Sequence, residues 1–202
     1  MRVLVTGYRG YIGSPLVDRL KAVGHEVVGV DTELCEDCTF GVNKGSGIPT
    51  INRDIRELSP TDLEGIDAIA HLAGICNDPL RDLLPETTYK INHAATVRLA
   101  TIAKASGVRR FVFSSSCSVY GAAGQEWIDE QSEPNPITPY GLSKWKAKIE
   151  LSQLADGRFS PVFLRSATPY GFSPRIRFDL VLNNVTTHAF TSASARGYRK
   201  PR

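Results

Sequence analysis

The chain opens MRVLVTGYRGYIG (residues 1–13), and the reading of that stretch decides the fold. Residues 2–6, RVLVT, form a short apolar run that ends at a glycine, the signature of a strand buried on both faces. From Tyr11 to about Val23 the apolar positions Ile12, Leu16, Val17, Leu20 and Val23 recur at helical spacing. Pro15 falls in the first turn, where its missing N–H costs little, and Gly24 is a natural stop. HEVVGVD (25–31) is a second apolar run. Strand, helix and strand within some 30 residues make one βαβ unit. The turn between the first strand and the helix carries Gly7, Gly10 and Gly13. Gly7 permits the tight turn, Gly10 admits backbone to a pyrophosphate, and Gly13 lets helix and strand pack closely. The free N–H groups and positive end of the helix then face the phosphates.

The same alternation continues outward. IDAIAHL (66–72), RFVFSSS (110–116) and PVFLRSA (161–167) read as strands, with a weaker one near Pro49–Asn52. Helical patterns run from about Thr87 to Ala105, stopped by Gly107, from Tyr140 to Ala155 after a proline-rich loop, and over Asp179–Ala189. Six strands alternating with helices predict an α/β fold, a doubly wound parallel sheet with helices on both faces.

The 202 residues are 42% hydrophobic and 22% charged, ordinary for a globular chain with a buried core. No apolar run reaches the 18 or more residues of a membrane span, so no membrane partner is expected. The first residues lack the long apolar stretch and cleavage site of an export signal, and the chain is expected in the cytoplasm. The net charge of +3 belongs to RGYRKPR (196–202), which holds four basic groups; the remaining 20 basic and 21 acidic residues nearly cancel. No basic domain face points to nucleic acid. Cys35 and Cys38 form a single CxxC with no second pair or histidines at ligand spacing, so no metal site is expected.

Several side chains fall where chemistry is expected. Asp31 ends the second strand, where a carboxylate can accept both ribose hydroxyls of an adenosine and repel a 2′-phosphate, favouring NAD over NADP. Arg9 pulls weakly the other way. Asp54 and Ile55 follow the weak third strand at the rim where an adenine fits. Tyr140 and Lys144 are four apart on a helix and share a face. A nearby ammonium stabilises phenolate, which turns Tyr140 into a usable base near neutral pH. Ser116, at the carboxyl edge of the sheet, has a hydroxyl suited to holding a substrate oxygen. His71 reads as a satisfied core histidine. Asn92 reads as a tether from helix to sheet.

TGYRGYIG, Asp31, DAIAHLAG (67–74), FVFSSSCSVYG (111–121) and PYGLSK (139–144) together resemble the extended short-chain dehydrogenase/reductases, in their NAD-dependent epimerase/dehydratase branch. The resemblance spans residues 2 to about 185. It implies a Rossmann fold, a tightly held NAD and a nucleotide-sugar substrate. It implies that Tyr140 is the acid/base, that Lys144 binds the nicotinamide ribose and tunes Tyr140, and that Ser116 contacts the reacting hydroxyl. Tyr11, Ile12, Leu72, Ala73 and Gly74 would line the cofactor cleft, with Pro169 beside the nicotinamide. Where 4,6-dehydratases of the branch carry an Asp–Glu pair after the active-site serine or threonine, this chain has Cys117 and Ser118. That favours a 4-epimerase, in which hydride passes to NAD and returns to the other face of the sugar.

Two departures stand out. Thr168 replaces the asparagine that usually precedes the proline of SATPYG (166–171). Relatives in the branch also continue into a substrate lobe. Residues 1–190 are therefore expected to be the NAD-binding domain with the catalytic residues, 191–202 an irregular basic tail, and most of the substrate lobe absent. Two other functions remain open: a catalytically idle NAD-binding module, or a reductase or dehydrogenase acting on a smaller substrate. A homodimer through the 87–105 and Tyr140 helices is implied by the resemblance.

Overall fold

A computed structural model describes residues 1–32, 34, 39, 47–76, 84–122 and 127–192. The CxxC cysteines and the basic 196–202 segment lie outside the described residues. Six strands form one parallel sheet: β1 (Arg2–Thr6), β2 (Glu26–Asp31), β3 (Thr50–Asn52), β4 (Ala68–His71), β5 (Arg110–Ser114) and β6 (Ser160–Leu164). Their spatial order is β3-β2-β1-β4-β5-β6. The chain winds outward from β1 to β3, then returns to place β4 on the other side of β1. That reversal leaves a crevice at the carboxyl ends of β1 and β4, the place where open α/β sheets bind ligands.

The helices are α1 (Gly13–Ala22), α2 (Pro85–Tyr89), α3 (Thr96–Ala105), α4 (Pro139–Gln153) and α5 (Val181–Ser192). No helix of the described residues is long and apolar enough to cross a membrane. Leu4, Val30, Ile69, Leu99, Phe111, Phe113, Ala147 and Leu151 form the larger core between the sheet and α3 and α4. Burying each large member contributes about 1.5–3 kcal/mol. A smaller core, with Val3, Val5, Tyr8 and Val17, lies under α1.

Three local features differ from the sequence expectation. The helix expected over 87–105 begins at Pro85 and contains a π-helical turn at Lys90–Ala95 between α2 and α3. The first helix begins at Gly13, so Tyr11 and Ile12 belong to the turn before it. Ser116 does not end a strand. The β5 ladder stops at Ser114, and Ser116 caps a 3₁₀ turn, Cys117–Tyr120, by accepting the Ser118 N–H at 3.1 Å. The Cys117 N–H is taken by Ser166 O at 3.0 Å, which turns the chain out of register with β6.

Candidate active site

The glycine turn is wedged between neighbouring backbones. Gly7 sits at φ 70°, a conformation that costs an L side chain, and a Cβ there would lie 2.8 Å from Ala73 N. A Cβ on Gly13 would come within 2.2 Å of Gly7 O, so α1 can start beneath the turn only with glycine at that position. Asp31 pins the turn from the end of β2. Its carboxylate accepts the Arg9 N–H at 3.0 Å and the Thr32 N–H at 2.9 Å. The Arg9 side chain folds back, Nε donating to the Tyr8 hydroxyl at 2.6 Å.

A cleft of about 370 Å³ opens above this turn. Gly7, Gly10, Tyr11, Ile12 and Gly13 line it from β1 and α1, and Leu72, Ala73 and Gly74 from the loop after β4. Asp31, Asp54 and Ile55 close the end near β3, while Ser114 and Pro169 lie toward β5 and β6. Asp54 also caps a 3₁₀ turn, accepting the Arg56 N–H at 2.8 Å. The side-chain bond from Arg56 holds its carboxyl below the ordinary range.

None of Tyr140, Lys144 and Ser116 lines the cleft itself; the Tyr–Lys pair is joined to its β5 end through Ser114, a lining residue bonded by Lys144. Thr138 caps α4, its hydroxyl accepting the Gly141 N–H at 3.1 Å, and Pro139 occupies the first turn. Half-buried Tyr140 is therefore on the opening turn of the helix. Lys144, one turn on, is 3% exposed. Its Nζ donates to Ser114 O at 2.8 Å and lies 5.7 Å from the centre of the Tyr140 ring and 4.6 Å from that of Phe113. Burial lowers its pKa to about 8. Ser116 Oγ donates to Ser118 Oγ at 3.1 Å. That serine turn touches α4 at Gly141, where a Cβ would be 2.5 Å from Ser118 O. The structure thus brings tyrosine and lysine together directly and brings the serine turn against the same helix start.

His71 and Asn92 take their expected structural places. His71 is fully buried, with Nδ1 bonded to Thr6 Oγ1 at 2.7 Å and Nε2 to Thr96 Oγ1 at 2.8 Å. Burial first, and then repulsion from Lys144, lowers its pKa to about 3. Asn92, in the π-helical turn, accepts the Ile75 N–H and donates to Ile75 O, both at 2.8 Å. It thereby fixes the cleft loop. Sequence reasoning missed Arg177, which also lines the cleft. Its Nη1 donates to Cys76 Sγ at 3.0 Å, and Nε and Nη2 grip Asp179, which holds the guanidinium firmly charged. The run RIRFD (175–179) was the available signal.

A parallel sheet with this strand order, a glycine turn at its reversal and a Tyr–Lys pair bonded to the β5 wall of the cleft defines a dinucleotide-binding α/β protein. The chain matches the NAD dependent epimerase/dehydratase family over residues 3–197 and belongs to it. It is 36% identical over 182 residues to a UDP-glucose 4-epimerase of Neisseria meningitidis serogroup C, covering 84% of this chain and 53% of that protein. The chain spans about half the length of the curated relatives it matches. Among solved structures, the NAD-dependent NDP-hexosamine 5,6-dehydratase TunA of tunicamycin biosynthesis superposes with a TM-score of 0.82 at 26% identity. The match covers 94% of this chain and 61% of TunA. MoeE5, solved with UDP-glucose and NAD, superposes at 0.79 with 33% identity, over 93% of this chain and 60% of its own.

Proposed function

We propose that this chain is the cofactor-binding and hydride-transfer portion of an NAD-dependent nucleotide-sugar 4-epimerase. The observation that carries the reading is the Lys144 ammonium, 5.7 Å from the centre of the Tyr140 ring and bonded to the carbonyl of Ser114, which lines the cleft above the glycine turn. The cleft residues fit a dinucleotide. Gly7 and Gly13 have no room for a Cβ, the N-terminal end of α1 lines the cleft and turns its positive dipole toward a phosphate, and Asp31 stands ready for ribose hydroxyls. NAD supplies a reversible hydride acceptor when bound.

The chain's own residues do the rest. Tyr140 Oη takes the proton of the sugar hydroxyl and later returns it. Lys144 Nζ favours the phenolate and reaches the nicotinamide ribose. Ser116 Oγ orients the reacting hydroxyl. Cys117 and Ser118 follow Ser116, and neither can supply the acid and base for loss of water, which favours epimerisation over dehydration. TunA, a dehydratase in its printed name, is a fold neighbour on the other side of that choice. The substrate is a UDP-hexose by analogy with the Neisseria relative. The same proposal includes a homodimer through the helical stretch 87–105, from α2 to α3, and through α4, and action in the cytoplasm.

The test is conversion of UDP-glucose to UDP-galactose by the full chain with NAD, beside a Tyr140→Phe variant. Removing a positioned acid/base is expected to cost about 10²–10⁴-fold in rate. Equal turnover in the variant would overturn the role of Tyr140. A chain that binds NAD but converts no sugar nucleotide would instead be a cofactor-binding module.

A further inference from the structure

The segment 169–183 between β6 and α5 is fastened to both rims of the cleft. On the glycine-turn rim, Tyr11 Oη donates to Gly171 O at 2.8 Å and accepts from Asn183 Nδ2 at 3.1 Å. Asn183, only 8% exposed, also accepts the Gly171 N–H at 3.2 Å and donates to Arg177 O at 3.0 Å. On the opposite rim Arg177 Nη1 reaches Cys76 Sγ at 3.0 Å. Tyr11, Cys76, Pro169, Arg175 and Arg177 all line the cleft, so the segment crosses the crevice between the ends of β1 and β4.

The bonding is closed on itself. The Tyr11 hydroxyl has one proton, and Gly171 O takes it. Both Asn183 amide protons are spent, one on Tyr11 and one on Arg177 O. The Tyr11–Gly171, Asn183–Tyr11 and Arg177–Cys76 bonds tie the segment to the two rims, and the Asn183–Gly171 and Asn183–Arg177 bonds brace it internally. We propose that Tyr11 and Asn183 form a clasp that governs exchange of the dinucleotide, opening for both entry and exit. This rests on the reading of the cleft as the NAD site. It also gives that reading a mechanical consequence. A cofactor that is reoxidised in place has no need to leave between turnovers, whereas a dehydrogenase must release it each cycle.

A gate makes a signature that a binding contact does not. Loosening it speeds association and dissociation equally and leaves affinity unchanged. The experiment measures both rate constants for NAD by stopped-flow fluorescence on the full chain, wild type against Tyr11→Phe and Asn183→Ala. Tyr11→Phe keeps the ring and removes only the hydroxyl, so it stands as the test if Asn183→Ala folds poorly. Loss of one or two neutral hydrogen bonds should raise both rates about 5- to 10-fold, with Kd changed less than about twofold. Asn184→Ala, whose amide bonds only Phe178 O among the ties described, should leave both rates at the wild-type value. A rise in dissociation alone, or no change in either rate, overturns the clasp while NAD binding stands. A wild-type chain that binds no NAD overturns the cofactor reading and the clasp together.

Discussion

Lys144 is the residue on which the proposed chemistry turns, because its charge is held at a cost. Burial brings its pKa to about 8, and the Ser114 carbonyl and two ring faces replace the water it has lost. Below that pH the ammonium persists and favours the Tyr140 phenolate. Above it the ammonium empties and the phenol loses its neighbouring cation. The epimerisation rate is therefore expected to fall on the alkaline side with a midpoint near pH 8. Lys144→Met should remove that limb as well as most of the rate, by about 10²-fold or more. A rate–pH profile of wild type and variant checks both parts. An unchanged alkaline limb in the variant would mean that another group governs it.

At the scale of elements, the π-helical turn at Lys90–Ala95 does more than connect α2 to α3. Such turns cluster at functional sites, and this one aims Asn92 at the cleft loop. Its amide satisfies both backbone groups of Ile75, in a setting where Asn92 itself is fully buried. Asn92→Ala would leave that N–H and carbonyl unpaired and is expected to cost about 2–3 kcal/mol of stability. It should also weaken NAD binding through the loosened Leu72–Cys76 wall. Urea unfolding and NAD titration measure the two effects; retention of both would deny Asn92 its tethering part. The helical periodicity of this stretch was legible in the sequence, but the extra backbone residue was not, since nothing in KINHAA marks it locally. The glycine turn was legible because part of its demand is local: Gly13 answers to Gly7 and Tyr8 a few positions away, whereas Gly7 is also pressed by Leu72 and Ala73 in the loop after β4. Ser116 was misjudged because β5 ends at Ser114, after which the Ser115 N–H turns back to Phe113 O and the Cys117 N–H goes to Ser166 O, 49 residues on. Tyr11 and Asn183 meet across 172 positions, and no periodicity records such a pair.

The whole molecule is stitched through His71. From the central strand β4 it bonds Thr6 on β1 and Thr96 at the head of α3, joining sheet to helix layer through a ring with no exposed surface. Phe113 stacks on it at 5.9 Å, so protonation would place a cation in an apolar core beside the Lys144 ammonium. The folded pKa of about 3 lies below the unfolded value of about 6.5. Between those values the unfolded chain binds the extra proton, so stability rises with pH, is complete above about 6.5 and drains away as pH falls toward 3. At pH 5 the loss from this one group is about 2 kcal/mol relative to pH 7, before most carboxylates begin to protonate. His71→Gln retains a polar group for the two threonines but cannot titrate. It is expected to be less stable than wild type at pH 7, yet nearly flat between pH 6.5 and 5. Urea midpoints at the two pH values, for both proteins, give the comparison. Parallel slopes would assign the acid sensitivity elsewhere, while a flat variant beside a falling wild type would locate it at the junction of β1, β4 and α3, directly beneath the cleft.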